Sequence, residues 1–341
     1  MNTTVLCTLF NYFYLDKALV LYDSLTEVSE NFKLYILCMD DRCYSVLSDL
    51  KYPQIIPIRL SDFEDDQMLV AKGNRSFGEY CWTCSSALIC YVLDKYKEHI
   101  CTYIDADMYF YNDPELLIDE MRMAGKNVLI TPHRFTPDKE KLLVNGEFCV
   151  EFNTFVNEEN SLNVLREWKN NCLQCCTSVN DGVHFGDQKY LDVWPTQYPQ
   201  TVHVCNHPGA GIAPWNIGWY KQLDLAKKTV LYKKDCTEVP IVFYHFHHVT
   251  YISENEIKIG LKTNQKNIDY NLVNDLYVDY LNKIKIKKKW LESRYDVRYL
   301  MKEHPIMNRS LGLSSFWAPI KAAKLLVKRL IKRDYVIKLD H

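Results

Sequence analysis

The chain has 341 residues, more than one hydrophobic core usually serves, so one large domain with an appendage, or two domains, is expected. Hydrophobic residues at 48% and charged residues at 25% exclude a disordered or fibrous chain. The net charge of −2 hides an asymmetry: residues 276–341 carry 16 Lys and Arg against 6 Asp and Glu, and the acidic remainder offers no positive groove for a nucleic acid.

The thirteen cysteines are scattered without a framework. Met1 leads directly into "NTTVLCTLF", which reads as a strand, with no basic leader or cleavage site. No apolar run reaches the ~18 residues that span a bilayer. A cytoplasmic chain is therefore expected, peripheral at the inner face of the membrane if its basic tail docks there. The pairs Cys81/Cys84 and Cys172/Cys175 lie too far apart in sequence for a zinc site and read as small buried hydrophobes.

In chain order, Thr3 to Leu9 reads as a strand, followed by a loop and a helix from Leu15. "FKLYILCMDD" is a second strand, "CYSVLSDL" a helix and "PQIIPIRLSDF" a third strand. "EYCWTCSSALICYVLDKY" has helical spacing, and "ICTYIDADMYFY" follows as a strand. "NVLITPHRF" and "FCVEFNTFVN" are further strands, and "SLNVLREWKNNC" is a helix. Alternating strands and helices imply βαβ units, a mainly parallel sheet and ligands at the carboxyl ends of its strands. The loops there include "DADMYFYNDP" and "TPHRF"; neither phosphate-cradle glycine motif, G-x-G-x-x-G or G-x-x-x-x-G-K-[ST], is present.

Asp105 and Asp107 end one hydrophobic strand. Residues i and i+2 of a strand share a face, so both carboxylates can close on one divalent cation, with Ala106 facing away. Hard cations such as Mg²⁺ or Mn²⁺ take such oxygen ligands together with substrate phosphates. "VFYHFHHVTYI" places His245 and His247 on one face after an apolar run, and either could add an imidazole. Asp187 and Gln188 stand near the start of a helix. "CNHPGAGIAPWN" is a loop whose glycines permit close backbone approach and whose Trp215 offers a flat face for a sugar or base.

The order of these segments over about residues 3–250 resembles GT-A-type nucleotide-diphospho-sugar glycosyltransferases of bacteria, most closely the retaining family 8-like branch. The resemblance implies a GT-A α/β fold in residues 1–265, with a helical basic extension in 266–341. It also implies transfer of a sugar from a UDP-sugar to a glycan or lipid-linked acceptor in cell-surface polysaccharide or lipopolysaccharide synthesis. By it, Asp105, Asp107 and His245 hold Mn²⁺ or Mg²⁺ on the donor's diphosphate. Thr8, Asn11 and Asp40 fall where the base is held, and Arg75, Trp82 and Ser86 in the segment lining the donor pocket. Ala106, His133, His207, Gly209, Trp215 and Asn216 complete the nucleotide-sugar seat. Asp187 and Gln188 stand beside the sugar's reacting carbon. The chain departs from the family at Cys149, where an Asn is frequent, and at "HHVTYI", where a glycine turn towards Lys and Trp usually follows the late histidine.

In "SSFWAPIKAAKLLVKRLIKRD", Lys321, Lys324, Lys328 and Lys332 recur at helical spacing opposite Ile320, Ala323, Val327 and Ile331. A basic amphipathic helix with aromatics at one end reads as a docking element for an anionic membrane surface. Two other readings are weighed against the transferase. A HAD-like Mg-dependent phosphotransferase also places D-x-D after a strand, but Met108 and the mid-chain position argue against it. A non-enzymatic basic-tailed binding protein lacks any recognition motif.

Overall fold

The computed structural model describes residues 3–253, 256–262, 267–295 and 334–338. Strand β1 (Thr4–Phe10) is buried along its whole length, as a central strand of a parallel sheet must be. Helix α1 (Leu15–Val28) follows a single 3₁₀ turn, and β2 (Phe32–Cys38) lies parallel to β1. Asp40 then caps α2 (Asp41–Leu50) by accepting from the Cys43 amide, and β3 (Ile55–Arg59) extends the sheet. The third strand is shorter than expected: after Arg59 the chain turns into a four-residue helix, α3 (Leu60–Phe63), and then α4 (Asp66–Gly73).

Helix α5 (Phe77–Lys95) starts in a capping box, with the Ser76 hydroxyl and the Glu79 carboxylate each satisfying the other's amide. It leads into β4 (Ile100–Ile104). The single strand expected over "ICTYIDADMYFY" is in fact two. β4 belongs to the main sheet, whereas β5 (Met108–Phe110) leaves it to pair with a strand from late in the chain. The break falls on residues 105–107, which form a turn. The chain continues through α6 (Glu115–Met123), β6 (Val128–Pro132), β7 (Phe148–Val156), α7 (Glu159–Gln174), α8 (Trp194–Gln197) and β8 (Val202–Val204).

The seven strands are ordered β3-β2-β1-β4-β7-β6-β8. Only β7 runs against its neighbours, so the sheet is mixed and mostly parallel, the α/β class expected. One core cluster joins α1, α2 and α6 to one face, and a second joins α5 and α7 to the other. The strand order reverses between β1 and β4, which opens a crevice at their carboxyl ends, bounded by Asn11 on one side and Asp105 on the other.

A smaller antiparallel sheet, β9 (Tyr220–Asp224), β10 (Thr229–Tyr232) and β11 (Thr237–Pro240), leads to β12 (Phe243–His245), the partner of β5. β13 (Thr250–Ser253) and β14 (Glu256–Lys262) form a hairpin ladder. Helix α9 (Tyr270–Arg294) lies in the stretch read as an extension, yet Leu276, Tyr277 and Tyr280 are buried in the same cluster as α1 and β5. β15 (Asp334–Lys338), an extended segment in a stretch expected to be helical, pairs with β14. The basic helix expected up to residue 333 lies outside the described residues. Among the described residues, no helix is long and apolar enough to cross a membrane, and all thirteen cysteines are free.

Candidate metal centre

The centre is assembled by strand register. In the β5–β12 ribbon His245 faces Met108, and the Phe246 amide donates to the Asp107 carbonyl at 2.9 Å. That pairing closes the gap of more than a hundred residues between the aspartates and the histidine. His245 Nε2 lies 3.0 Å from an Asp107 oxygen and 3.6 Å from an Asp105 oxygen. The two carboxylates converge because a turn swings them together, not because they alternate along one strand.

A second register adds a residue that sequence reasoning missed. β4 and β7 are antiparallel with Ile104 opposite Phe152, so Glu151 stands across from Asp105, whose amide donates to the Glu151 carbonyl. The Glu151 side chain is fully buried, and one of its oxygens lies 2.7 Å from His245 Nδ1. A carboxylate on one imidazole nitrogen fixes the ring's orientation and its tautomer, which here aims Nε2 at the aspartates. The other Glu151 oxygen has no partner among the described residues. The sequence signal was a Glu inside a largely apolar strand, "FCVEFNTFV", since unpaired buried carboxylates are rare. Gly211 (φ +69°) is the glycine this arrangement requires, because a Cβ there would lie 2.6 Å from Glu151 Oε1.

The aspartates differ in charge state. Burial raises Asp105 to about 7, against the pull of the His245 charge. Burial also works on Asp107, but the closer His245 charge and its hydrogen bond outweigh it and hold that carboxyl low. Burial disfavours charge on His245 as well, yet the Asp107 carboxylate raises it well above its ordinary value. Asp105, Asp107 and His245 offer two oxygens and one nitrogen within 4.8 Å of one another, a donor set that suits Mn²⁺ or Mg²⁺. The buried carboxylate behind His245 is the support that a metal-binding imidazole usually has.

The other predicted residues fall into groups. Ala106 is buried between the aspartates. Trp215 meets His133, His245 and His247 edge-on at ring distances of 5.2–5.4 Å, and its indole nitrogen is buried without a partner among the described residues. Burial holds His247 well below its ordinary value; it packs on Trp215 and is not part of the three-ligand group. His133 stacks on Phe135 and is lowered by burial to about 4. Asn216 is fully buried, and its amide is committed to the Ala213 amide and to the His133 and Gly211 carbonyls, so it pins the glycine loop. Gly209 is held for packing: a Cβ would sit 1.9 Å from the Pro240 carbonyl oxygen. His207 Nδ1 accepts from the Gly209 amide.

At the other wall, Asp40 is engaged at both oxygens by the Tyr12 and Cys43 amides, and Asn11 accepts from the Phe13 amide. Arg75 ties α5 to α7 through Thr83 and the Leu173 carbonyl. Trp82 is partly exposed and packs over Gly186. Thr8 and Ser86 are buried, with hydroxyls unpartnered among the described residues. The same is true of both amide atoms of Asn153, a second omission; it shares a face of β7 with Glu151. That strand thus carries a buried amide four residues beyond Cys149.

Asp187 is 5% exposed, accepts from the Ser85 hydroxyl at 2.6 Å and is raised by burial to about 7. Its charge is among those acting on Asp105, although no hydrogen bond joins them. Ser85, one residue before the expected Ser86, is therefore the α5 hydroxyl that meets the carboxylate. Gln188 is half-buried, and its amide donates to the Asn145 carbonyl.

No family model matches the chain. It is similar to two proteins of Bacillus subtilis (strain 168). It is 30% identical over 266 residues to the uncharacterized protein YfnD, covering 76% of this chain and 82% of YfnD. It is 29% identical over 286 residues to the uncharacterized protein YfnF, covering 82% of this chain and 92% of YfnF. Among solved structures it is similar to the glycosyltransferase GlyE of Streptococcus pneumoniae TIGR4, with 15% identity, a TM-score of 0.47, and coverage of 89% of this chain and 66% of GlyE. At 30% identity over most of both chains, this protein belongs to the family of Bacillus subtilis YfnD.

Proposed function

We propose that the protein is a metal-dependent glycosyltransferase that moves a sugar from a nucleotide diphosphate donor, a UDP-sugar, to a glycan or lipid-linked acceptor. The observation that carries this reading is the meeting of Asp105, Asp107 and His245 beside the crevice where the strand order reverses, with Glu151 supporting the imidazole. Bound there, Mn²⁺ or Mg²⁺ would offset the charge that develops on a leaving diphosphate.

The chain's own groups divide the remaining work. Asp107, held ionised, and the imidazole of His245 form the anchoring side, and Glu151 keeps that ring from turning. Asp187 and Gln188 stand on the side of α5, where an oxygen could face an oxocarbenium-like carbon. Retention of configuration at that carbon is part of the proposal. A cleft of about 360 Å³ lined by Arg134, Phe135, Glu140 and Glu147, whose Phe135 ring stacks on His133, has the mixed ring and carboxylate lining that suits an acceptor sugar. A role for the basic tail at an anionic membrane, near a lipid-linked acceptor, rests on its sequence; equal liposome binding with and without residues 314–341 would remove it.

The test is a thermal-shift screen of nucleotide sugars with and without Mn²⁺, followed by product analysis by NMR. Stabilisation by one nucleotide sugar, abolished by EDTA, supports the reading. No shift with any donor overturns it, and an inverted linkage in the product overturns the stereochemical part.

A further inference from the structure

Lys17 stands in the first turn of α1, and its side chain is only 5% exposed. Buried lysines are almost always paired. This one is not well paired. The nearest carboxylate oxygen, on Asp16, is 3.8 Å from the ammonium, beyond hydrogen-bond reach. Asp16 is occupied elsewhere, accepting from the Tyr251 hydroxyl and the Lys17 backbone amide. What the ammonium does have is the ring of Tyr14 at 4.6 Å and that of Tyr251 at 5.4 Å. Ring faces attract a cation without giving it the acceptors an ammonium's three N–H groups require.

The location is as informative as the pairing. Lys17 and Ser24 are seven residues apart, two turns of helix on one face, and the Ser24 hydroxyl accepts from the Phe110 amide of β5. The lysine's face of α1 is therefore the one packed on the strand that begins just after Asp107. Tyr251 follows His245 by six residues, so β13, the strand after the turn that leaves the metal centre, brings its ring beside Lys17. A second ammonium, on Lys288, lies 4.7 Å from the same Tyr251 ring.

We propose that the Lys17 ammonium is the chain's own cation for the diphosphate of the donor, lying beside the Asp105–Asp107–His245 centre. The inference rests on the reading of that centre as a nucleotide-sugar seat. A metal bridged to two carboxylates leaves part of a diphosphate's charge unmatched, and a preplaced, poorly solvated ammonium answers it without moving.

The probe is inorganic pyrophosphate, titrated calorimetrically into the full chain with Mn²⁺ present, alongside Mn²⁺ alone. Lys17→Met should weaken pyrophosphate about 10- to 100-fold while leaving Mn²⁺ affinity unchanged, and Lys17→Arg should restore most of the loss. Because the ammonium is poorly paired, Lys17→Met should also fold and melt no lower than the parent. Unchanged pyrophosphate binding in Lys17→Met overturns the inference, and so does loss of folding, which would make the lysine structural. Failure of the parent protein itself to bind pyrophosphate or UDP with Mn²⁺ overturns instead the reading on which the inference rests.

Discussion

Two buried carboxylates of the cleft, Asp107 and Asp187, experience similar burial and come out oppositely. Asp107 has an imidazole at 3.0 Å and is held ionised; Asp187 has a serine hydroxyl at 2.6 Å and is raised to about 7. A hydroxyl offers one neutral hydrogen bond, whereas an imidazolium offers a bond and a full charge, and only the latter outweighs desolvation. The difference suits one group to gripping a cation and leaves the other able to change protonation near neutral pH.

The sharpest way to break this comparison is Asp107→Ala. Loss of the ionised member should abolish Mn²⁺-dependent stabilisation by a nucleotide sugar and lower transfer by about 10²–10³-fold. Retained metal-dependent stabilisation would show that Asp107 is not the grip.

Next comes Glu151→Gln, which preserves shape but replaces the carboxylate behind His245. Mn²⁺ affinity, read by titration of the metal-free protein, should fall about 10-fold or more, the usual effect of losing a ligand's supporting carboxylate. Unchanged affinity would remove Glu151 from the metal centre.

Asp187→Asn addresses the other side through pH. The folded value of about 7 lies above the unfolded value of about 3.9, so the group's contribution to stability is fully present below about pH 4 and is lost as pH rises through 7. The asparagine variant should therefore gain stability relative to the parent between pH 4 and 8. Parallel melting curves across that range would contradict the assignment. The smallest effect is expected of Ser85→Ala, which removes the hydrogen bond that favours the charged form. It should cost about 1 kcal/mol of stability and move the Asp187 titration further up.

The periodic elements were legible because burial writes itself into composition: β1 and β7 are largely apolar runs, and α5 shows helical spacing from Glu79 onward, although its capping box at Ser76 was not part of that pattern. The boundary at Asp105–Asp107 was not, because "ICTYIDADMYFY" reads continuously as strand while its two halves pair with different sheets. Likewise the sequence offers the indole of Trp215 as a flat face for a ligand, and only the fold shows that three histidine rings meet it in T-shaped contacts.

Sequence by itself determined the alternating α/β architecture and brought Asp105, Asp107 and His245 forward, since each is a polar residue where local pattern calls for an apolar strand or its end; Asp187, near the start of a helix, came forward through the resemblance. Only the tertiary structure decided that Glu151 stands behind His245, that Ser85 meets Asp187, and that Lys17 is buried with its nearest carboxylate oxygen 3.8 Å away. The reason is physical: propensity and periodicity act within a few residues, whereas these contacts depend on strand register and helix packing between distant segments, 94 residues apart for Glu151 and His245 and 102 for Ser85 and Asp187.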